Sequence, residues 1–262
     1  AATNALSDVY AMGGKPFMAI AILGLPVEKL PATIAQQIIA GGKAACAKAG
    51  VVLAGGHTID APEPFFGLAV NGLVPVGNLK QNSTAQAGDI LYLTKPLGTG
   101  ALATALKRSL LTAADIQPAI EAMCTLNTFG EVLGAQPYVH ALTDVTGFGL
   151  AGHLIEMCEG SGLSAEIEYS KVPLLPGVKD LAAKFVYADN TMRNWKAYES
   201  KVQGIGSESL LTLCDPQTSG GLLVAVAPDS TNAFEMLAQQ HQLQLVSIGK
   251  LTAVKEKTIY IQ

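Results

Sequence analysis

The chain has 262 residues, of which 49% are hydrophobic and 15% charged, and a net charge of −4 at pH 7. This composition excludes a disordered protein, and the length favours two domains over one. The 17 basic residues are scattered along an acidic chain, which excludes nucleic acid as the main partner.

The first part of the chain predicts a unit of alternating helices and strands. In chain order we predict a helix from Thr3 to Met12, a buried strand from Pro16 to Leu23, a helix from Pro31 to Ala49, a short strand from Val51 to Ala54, a loop with the sequence GGHTIDAPEP, and a strand from Phe65 to Val74. The polar stretch Val76–Gly88 then indicates a domain boundary, with residues 1–80 before it and residues 87–262 after it.

The second part of the chain predicts a larger unit of the same kind. The expected elements are a strand from Asp89, a helix from Gly98, one or two helices within Ala113–Leu133, a strand ending near Thr143, a helix from Phe148 to Cys158, a strand from Leu163 to Tyr169, an irregular or loosely helical stretch from Pro173 to Val202, a strand in GLLVAVAP, a helix from Asn232 to His241, and strands in LVSIGKLT and KTIYIQ. The fold class is therefore α+β, with two layers in each domain.

Neither a membrane protein nor a zinc protein is indicated. The most apolar run, FMAIAILGLPV, is too short to cross a bilayer, and no signal peptide is visible. Cys46, Cys124, Cys158 and Cys214 lie far apart without metal-ligand spacing, which favours reduced thiols in the cytoplasm. We interpret Cys46, in an Ala-rich helix, as a packing residue. Cys214 is an improbable nucleophile because the neighbouring Asp215 would raise the pKa of its thiol.

Two aspartates stand in otherwise uncharged stretches. Asp8 is the only charged residue in AATNALSDVYAMGG, and Asp144 is the only one in PYVHALTDVTGFGLAG. A carboxylate that leaves water is costly unless it is paired, hydrogen-bonded or bound to a cation. We therefore predict a metal site that also holds an anion, with Asn4 on the same helix face as Asp8. Asp144 or Thr146 acting only as a helix cap is an equally open interpretation.

Two glycine-rich segments are weaker candidates. Gly55 and Gly56 follow a strand, where His57 and Thr58 would present donors to a phosphate, although a plain turn is the alternative. The segment CDPQTSGG resembles a backbone nest for an anion, but a structural role is the more economical interpretation. His140, His153 and His241 lack the surroundings of a hydrolase triad or a metalloprotease.

Six motifs in one order carry a family resemblance: ATNALSDVYAMGGKP, AGGHTIDAPEPFFGLAVNG, STAQAGD, LTKPLGTG, ALTDVTGFGLAGHL and LCDPQTSGGLL. Together they resemble the selenophosphate synthetase (selenide, water dikinase) family. The resemblance implies a two-domain fold like that of aminoimidazole ribonucleotide synthetase, in which the N-terminal domains pair across a homodimer. It also implies ATP-dependent conversion of selenide and water to selenophosphate, with AMP and orthophosphate as the other products.

The resemblance also implies roles for individual residues. Asp8 matches an aspartate that contacts both Mg²⁺ and ATP, and Asp144 matches a further Mg²⁺ ligand. Gly56, His57 and Thr58 match a segment that reaches the nucleotide of the partner subunit.

One family feature has no counterpart in this sequence. Members carry, before the ATNALSD motif, a segment with a reactive Cys or selenocysteine and an essential Lys. We therefore expect a chain with an incomplete N-terminal domain, inactive by itself, and we assign no catalytic residue within it. The alternatives are a non-catalytic dimerising or nucleotide-sensing module, or a related ATP-dependent phosphotransferase such as a thiamine-monophosphate or purine-pathway relative.

Overall fold

The computed structural model describes residues 1–262 as a mixed α/β protein with two β-sheets. The smaller, N-terminal sheet has the strand order β2-β1-β3. Its strands are β1 (Lys15–Leu25), β2 (Val52–Asp60) and β3 (Phe65–Leu73). Strand β1 lies in the centre, parallel to β2 and antiparallel to β3. The crossover between the parallel strands is a helix, as such a connection requires.

The expected loop after Ala54 is wrong, because strand β2 continues to Asp60. Parallel pairing with β1 is maintained through the glycines, after a register shift between Ala19 and Ile20. Gly56 suits this position because an added Cβ would lie 2.1 Å from the carbonyl oxygen of Ala21. His57 and Thr58 are therefore strand residues, and the glycines that indicate a turn in the sequence permit close strand packing instead.

Two helices accompany the small sheet. They are α1 (Ala2–Ala11) and α2 (Ala32–Lys48). Helix α1 contacts β1 and β3 of the small sheet and also β5 of the larger one. A small core between α1, α2 and the sheet contains Leu6, Tyr10 and Cys46. The interpretation of Cys46 as a packing residue is confirmed, and α1 is the element that joins the two sheets.

The opposite face of the small sheet is apolar and exposed. Phe17, Ile20 and Ile22 of β1 are each about half exposed. Ile22 pairs with His57 on β2 and with Gly67 on β3, so the histidine lies on this same face.

The larger sheet has seven strands in the order β5-β8-β4-β9-β6-β10-β7. They are β4 (Ile90–Leu93), β5 (Val139–Asp144), β6 (Leu163–Ile167), β7 (Val202–Gln203), β8 (Leu222–Val226), β9 (Ser247–Ala253) and β10 (Ile259–Ile261). The helices of this unit are α3 (Thr99–Lys107), α4 (Gln117–Cys124), α5 (Phe129–Gly134), α6 (Gly149–Ser161), α7 (Val178–Ala183), α8 (Asp189–Tyr198), α9 (Ser207–Leu213) and α10 (Thr231–Gln240). Strand β8, which lies between β5 and β4, is buried along its whole length.

Most of the expected elements are present, with two differences in the second half. The stretch 173–202, expected to be irregular or loosely helical, contains the regular helices α7 and α8. Helix α9 has no counterpart among the expected elements. These helices pack on one another through α7–α9 and α8–α9 contacts, so tertiary packing stabilises segments whose local pattern is weak. None of the ten helices is long and apolar enough to cross a membrane.

Candidate functional site

The structure brings Asp8 and Asp144 together. Asp8 lies on α1, and Asp144 is the last residue of β5. Burial raises the pKa of the Asp8 carboxyl, and the nearby negative charge of Asp144 raises it further. Both residues line one cavity of about 420 Å³, together with residues 80–83, residues 142–143, Ala11 of α1 and Met12 directly after it. The cavity is therefore formed by the helix of the small sheet, by β5, and by the segment that connects the two sheets.

One oxygen of Asp144 lacks a partner. The residue is buried, and its Oδ2 atom accepts no hydrogen bond. A buried carboxylate oxygen without a donor is unfavourable unless a cation neutralises it. The residues present therefore fit a metal ion, which Asp144 and Asp8 would hold.

The buried ammonium of Lys95 interacts with the charge of Asp144 but also serves another purpose. Its Nζ atom donates to the carbonyl oxygens of Thr125 at 2.7 Å and Ser219 at 2.9 Å. Burial lowers the pKa of Lys95 to about 8, an effect that the charge of Asp144 partly opposes. Lys95 therefore contributes positive potential near Asp144 while it holds two backbone segments together.

Lys80 borders the cavity itself. Its Nζ atom donates to the carbonyl oxygens of Gln136 and Val139, both at 2.8 Å, and burial lowers its pKa. An ammonium group has three donors, so one remains in addition to these two bonds. Nothing in the sequence singles out Lys80 or Lys95, because their partners are backbone carbonyls that no motif reveals.

Polar contacts fix helix α1 on the larger unit. The Oδ1 atom of Asn4 accepts from the backbone N–H of Ser219 at 2.9 Å. The Nδ2 group of Asn127 donates to Ser7 Oγ at 2.8 Å and to the Gly220 carbonyl at 2.9 Å. The expectation that Asn4 lines the site beside Asp8 is therefore wrong, because Asn4 binds the turn in CDPQTSGG. That turn has the structural role that the sequence favours.

Close backbone packing also sets the position of α1. A Cβ added to Gly130 of α5 would lie 2.2 Å from the carbonyl oxygen of Tyr10. A Cβ added to Gly134 would lie 2.6 Å from the carbonyl oxygen of Gly13. These two glycines allow α5 to approach the end of α1 that follows Asp8.

The interpretation of Asp144 or Thr146 as a cap of the following helix is wrong. Helix α6 begins at Gly149 without a side-chain cap, so neither Asp144 nor Thr146 caps it. The backbone N–H of Thr146 instead donates to His153 Nε2 at 3.0 Å. His153, for which the sequence indicates no role, lies in helix α6, and its side chain contacts the turn that precedes this helix.

Gly56, His57 and Thr58 lie elsewhere within the chain. They line a cavity of about 340 Å³ between β2, β1 and α2, which shares no residue with the cavity between Asp8 and Asp144. Lys43 of α2 lines it as well. Within one chain, the structure therefore does not bring the His57 segment to the two aspartates.

Comparison with known proteins places this geometry in context. The sequence matches the family described as AIR synthase related protein, C-terminal domain, over residues 86–262, and the corresponding N-terminal domain family over residues 1–74. A protein of Aeromonas salmonicida named selenide, water dikinase is 55% identical over 253 residues, which cover 97% of this chain and 73% of the relative. A protein of the same name from Bordetella bronchiseptica is 53% identical over 261 residues, or 100% of this chain and 76% of the relative.

Solved structures share the fold at low sequence identity. Thiamine-monophosphate kinase from Stenotrophomonas maltophilia superposes with a TM-score of 0.75 at 22% identity, covering 100% of this chain and 79% of the other. Hydrogenase maturation protein HypE in complex with ATP superposes with a TM-score of 0.79 at 18% identity, covering 99% and 75%. At these identities the likeness concerns the architecture alone, and it agrees with the expected two-domain α+β fold.

Proposed function

Because the chain belongs to the selenide, water dikinase family of AIR synthase related proteins, we propose that it serves the ATP-dependent synthesis of selenophosphate from selenide and water, with AMP and orthophosphate as the other products. The observation that carries this proposal is an identity of 53–55% over nearly the whole chain. This level of identity selects one activity from a superfamily whose fold alone would leave several open.

Asp8 and Asp144 are the residues that would hold Mg²⁺. The ion usually keeps several water ligands and takes one or two carboxylates together with the phosphates of its nucleotide. Two carboxylates at the edge of a 420 Å³ cavity, one with an unpartnered buried oxygen, suit that coordination. Bound Mg²⁺ neutralises the phosphate oxygens and polarises the phosphorus that is attacked.

The connecting segment completes the proposed nucleotide site. Lys80 has a remaining donor, and Asn82 and Ser83 add an amide and a hydroxyl on the same wall of the cavity. Donors of this kind bind phosphate oxygens, whereas the two carboxylates would repel them without a cation. ATP is therefore proposed to enter as its Mg²⁺ complex.

The homodimer is proposed to form through the exposed apolar face of the small sheet. Ile20 and Ile22 lie at its centre, and exposed apolar patches of this kind mark interaction surfaces. His57 belongs to the same face, so pairing of two such sheets would carry the segment Gly56–Thr58 toward the second subunit. This arrangement accounts for a nucleotide-binding segment that lies apart from the aspartates of its own chain.

The experiment that tests the proposed function uses the full-length protein. The protein is incubated with ATP, Mg²⁺ and selenide, and the products are followed by ³¹P nuclear magnetic resonance. We expect selenophosphate, orthophosphate and AMP, together with a loss of all three in the Asp144→Asn variant. The exposed Asp229→Asn substitution is the matched control and leaves the products unchanged. Absence of AMP formation by the unchanged enzyme would refute the proposal.

A further inference from the structure

His153 contacts the turn after Asp144, and this contact determines which nitrogen of the His153 ring carries a proton. Its Nε2 atom lies 3.0 Å from the backbone nitrogen of Thr146 and 3.3 Å from the Thr146 hydroxyl. A backbone N–H only donates, so Nε2 accepts and carries no proton. The ring is therefore neutral, with its proton on Nδ1.

The other side of the ring supports this tautomer. Glu156 Oε2 lies 3.2 Å from Nδ1, so the negative charge of the carboxylate favours a proton at that atom, although the two atoms do not form a hydrogen bond. The ring also stacks against Phe148, with centroids 5.6 Å apart, and the residue is buried. Packing and charge together hold the imidazole in one orientation, with Nε2 aimed at the turn.

The other hydrogen bonds of the turn leave the Thr146 N–H unsatisfied. Val145 N–H donates to the Gly221 carbonyl at 2.8 Å, the N–H groups of Gln217 and Gly149 donate to the Thr146 carbonyl at 2.9 and 3.0 Å, and Asn194 Nδ2 donates to the Gly147 carbonyl at 2.9 Å. The Thr146 N–H donates a single hydrogen bond, to His153, and helix α6 has no side-chain cap that would accept this hydrogen in its place. Without an acceptor there, a donor two residues after Asp144 would be left unpaired, and the turn would shift to satisfy it.

We infer that His153 is a positioning residue for the proposed metal site: by accepting the Thr146 N–H, it fixes the turn that aims Asp144 into the cavity. This inference rests on the proposed function, because Asp144 is taken as the metal ligand. His153 itself does not line the cavity, and its Nε2 atom is occupied by the Thr146 N–H. Groups that orient a ligand in this way typically contribute about 10-fold to 100-fold in metal affinity.

The test compares two substitutions of His153 in the full-length protein. His153→Leu preserves much of the volume and removes the acceptor, whereas His153→Gln offers an amide oxygen to the Thr146 N–H. Calorimetry with Mg²⁺ and ATP is expected to show affinity reduced by about 10-fold or more for the leucine variant and nearly normal affinity for the glutamine variant. His241→Leu, at an exposed histidine, serves as the control and leaves the affinity unchanged.

Two measurements on the fold keep the inference independent of catalysis. The ¹⁵N shifts of His153 in the unchanged protein are expected to show a protonated Nδ1 and an unprotonated Nε2. Hydrogen exchange at the Thr146 amide is expected to accelerate in the leucine variant and not in the glutamine variant. Should the leucine variant fail to fold, the glutamine variant and the ¹⁵N shifts decide the question.

The outcomes separate the two proposals. Equal Mg²⁺ affinity in the leucine variant and the unchanged protein, equal losses in both variants, or a proton on Nε2 would each overturn the role of His153. If the unchanged protein binds no Mg²⁺, the metal site fails, whereas the tautomer and the exchange data still report whether His153 fixes the turn.

Discussion

The charge of Asp144 raises the pKa of Asp8, although Asp144 ends a strand of the larger sheet and Asp8 lies on the helix beside the smaller one. Two carboxylates this close oppose each other's ionisation, and a divalent cation between them removes that opposition. A metal ion held by this pair would therefore couple its binding to the contact between the two halves of the molecule.

This coupling predicts a change in the titration of Asp8. The Asp144→Asn variant is expected to have a lower Asp8 pKa than the unchanged protein, because one of the two causes of the rise is gone while burial remains. The titration is followed through the side-chain carboxyl ¹³C shift of Asp8. Asp60→Asn, at an exposed position of β2, is the control. An Asp8 pKa that is the same in Asp144→Asn and in the unchanged protein would show that the two groups do not interact.

The sequence was sufficient to identify this pair because each aspartate stands alone among small and apolar residues. It was insufficient for two buried residues near Asp144. Lys95 binds two backbone carbonyls and His153 binds one backbone N–H, and a backbone partner leaves no signature in the sequence. The glycine pair Gly55-Gly56 predicted a turn because local propensity favours one, whereas pairing with β1 extends the strand.

Replacing two helical glycines by alanine is expected to change the free energy of unfolding in opposite directions. In Gly130→Ala the new methyl group would meet the Tyr10 carbonyl oxygen, so α1 and α5 must separate, and we expect a loss of about 1–3 kcal/mol in the free energy of unfolding. In Gly41→Ala the methyl group meets no atom within 4 Å, and we expect a gain of about 0.5–1 kcal/mol. Urea unfolding measures both. Equal effects of the two substitutions would contradict the close approach of α5 to α1.

The Gly130 substitution also tests how α1 positions the site. Because α1 carries Asp8, its displacement in Gly130→Ala is expected to weaken Mg²⁺ binding in calorimetry, whereas Gly41→Ala leaves it unchanged. Normal Mg²⁺ affinity in a destabilised Gly130→Ala variant would indicate that Asp8 tolerates movement of its helix.

Asp215 predicts a pH dependence of stability. Burial raises the pKa of its carboxyl from 3.8 to about 7, and the hydrogen bonds that Gln217 Nε2 and the Gly100 N–H donate to Oδ2 oppose this rise only in part. Between pH 3.8 and 7 the folded state retains a proton that the unfolded state has lost. The free energy of unfolding therefore falls as the pH rises through this window, by at most about 1.4 kcal/mol per pH unit, and levels off above it.

The Asp215→Asn variant lacks this ionisation. Relative to the unchanged protein, its free energy of unfolding is expected to rise from pH 5 to about pH 7 and then to level off toward pH 8, measured by urea unfolding at each pH. Asp180→Asn, at an exposed position, controls for the change in net charge. A pH-independent difference between Asp215→Asn and the unchanged protein would mean that Asp215 ionises normally in the folded state.

The exposed face of the small sheet predicts the effect of a single charge on assembly. Ile22 is about half exposed at the centre of that face, beside His57 on the neighbouring strand. In Ile22→Lys an ammonium group would have to leave water when two such faces meet, which is unfavourable. The substitution also removes the apolar contact that Ile22 would make in the dimer. Sedimentation velocity is expected to find a dimer for the unchanged protein and a monomer for this variant. Val254→Lys, at a more exposed apolar residue at the end of β9, retains the dimer.

The same variant separates assembly from the metal site. If the segment Gly56–Thr58 serves the nucleotide of the partner, the monomeric Ile22→Lys protein binds ATP more weakly than the dimer does. Its Asp8 pKa stays unchanged, because Asp8 and Asp144 belong to one chain. A monomer with normal ATP affinity would show that each chain binds its nucleotide without its partner, and a dimer that persists in Ile22→Lys would place the interface on another surface.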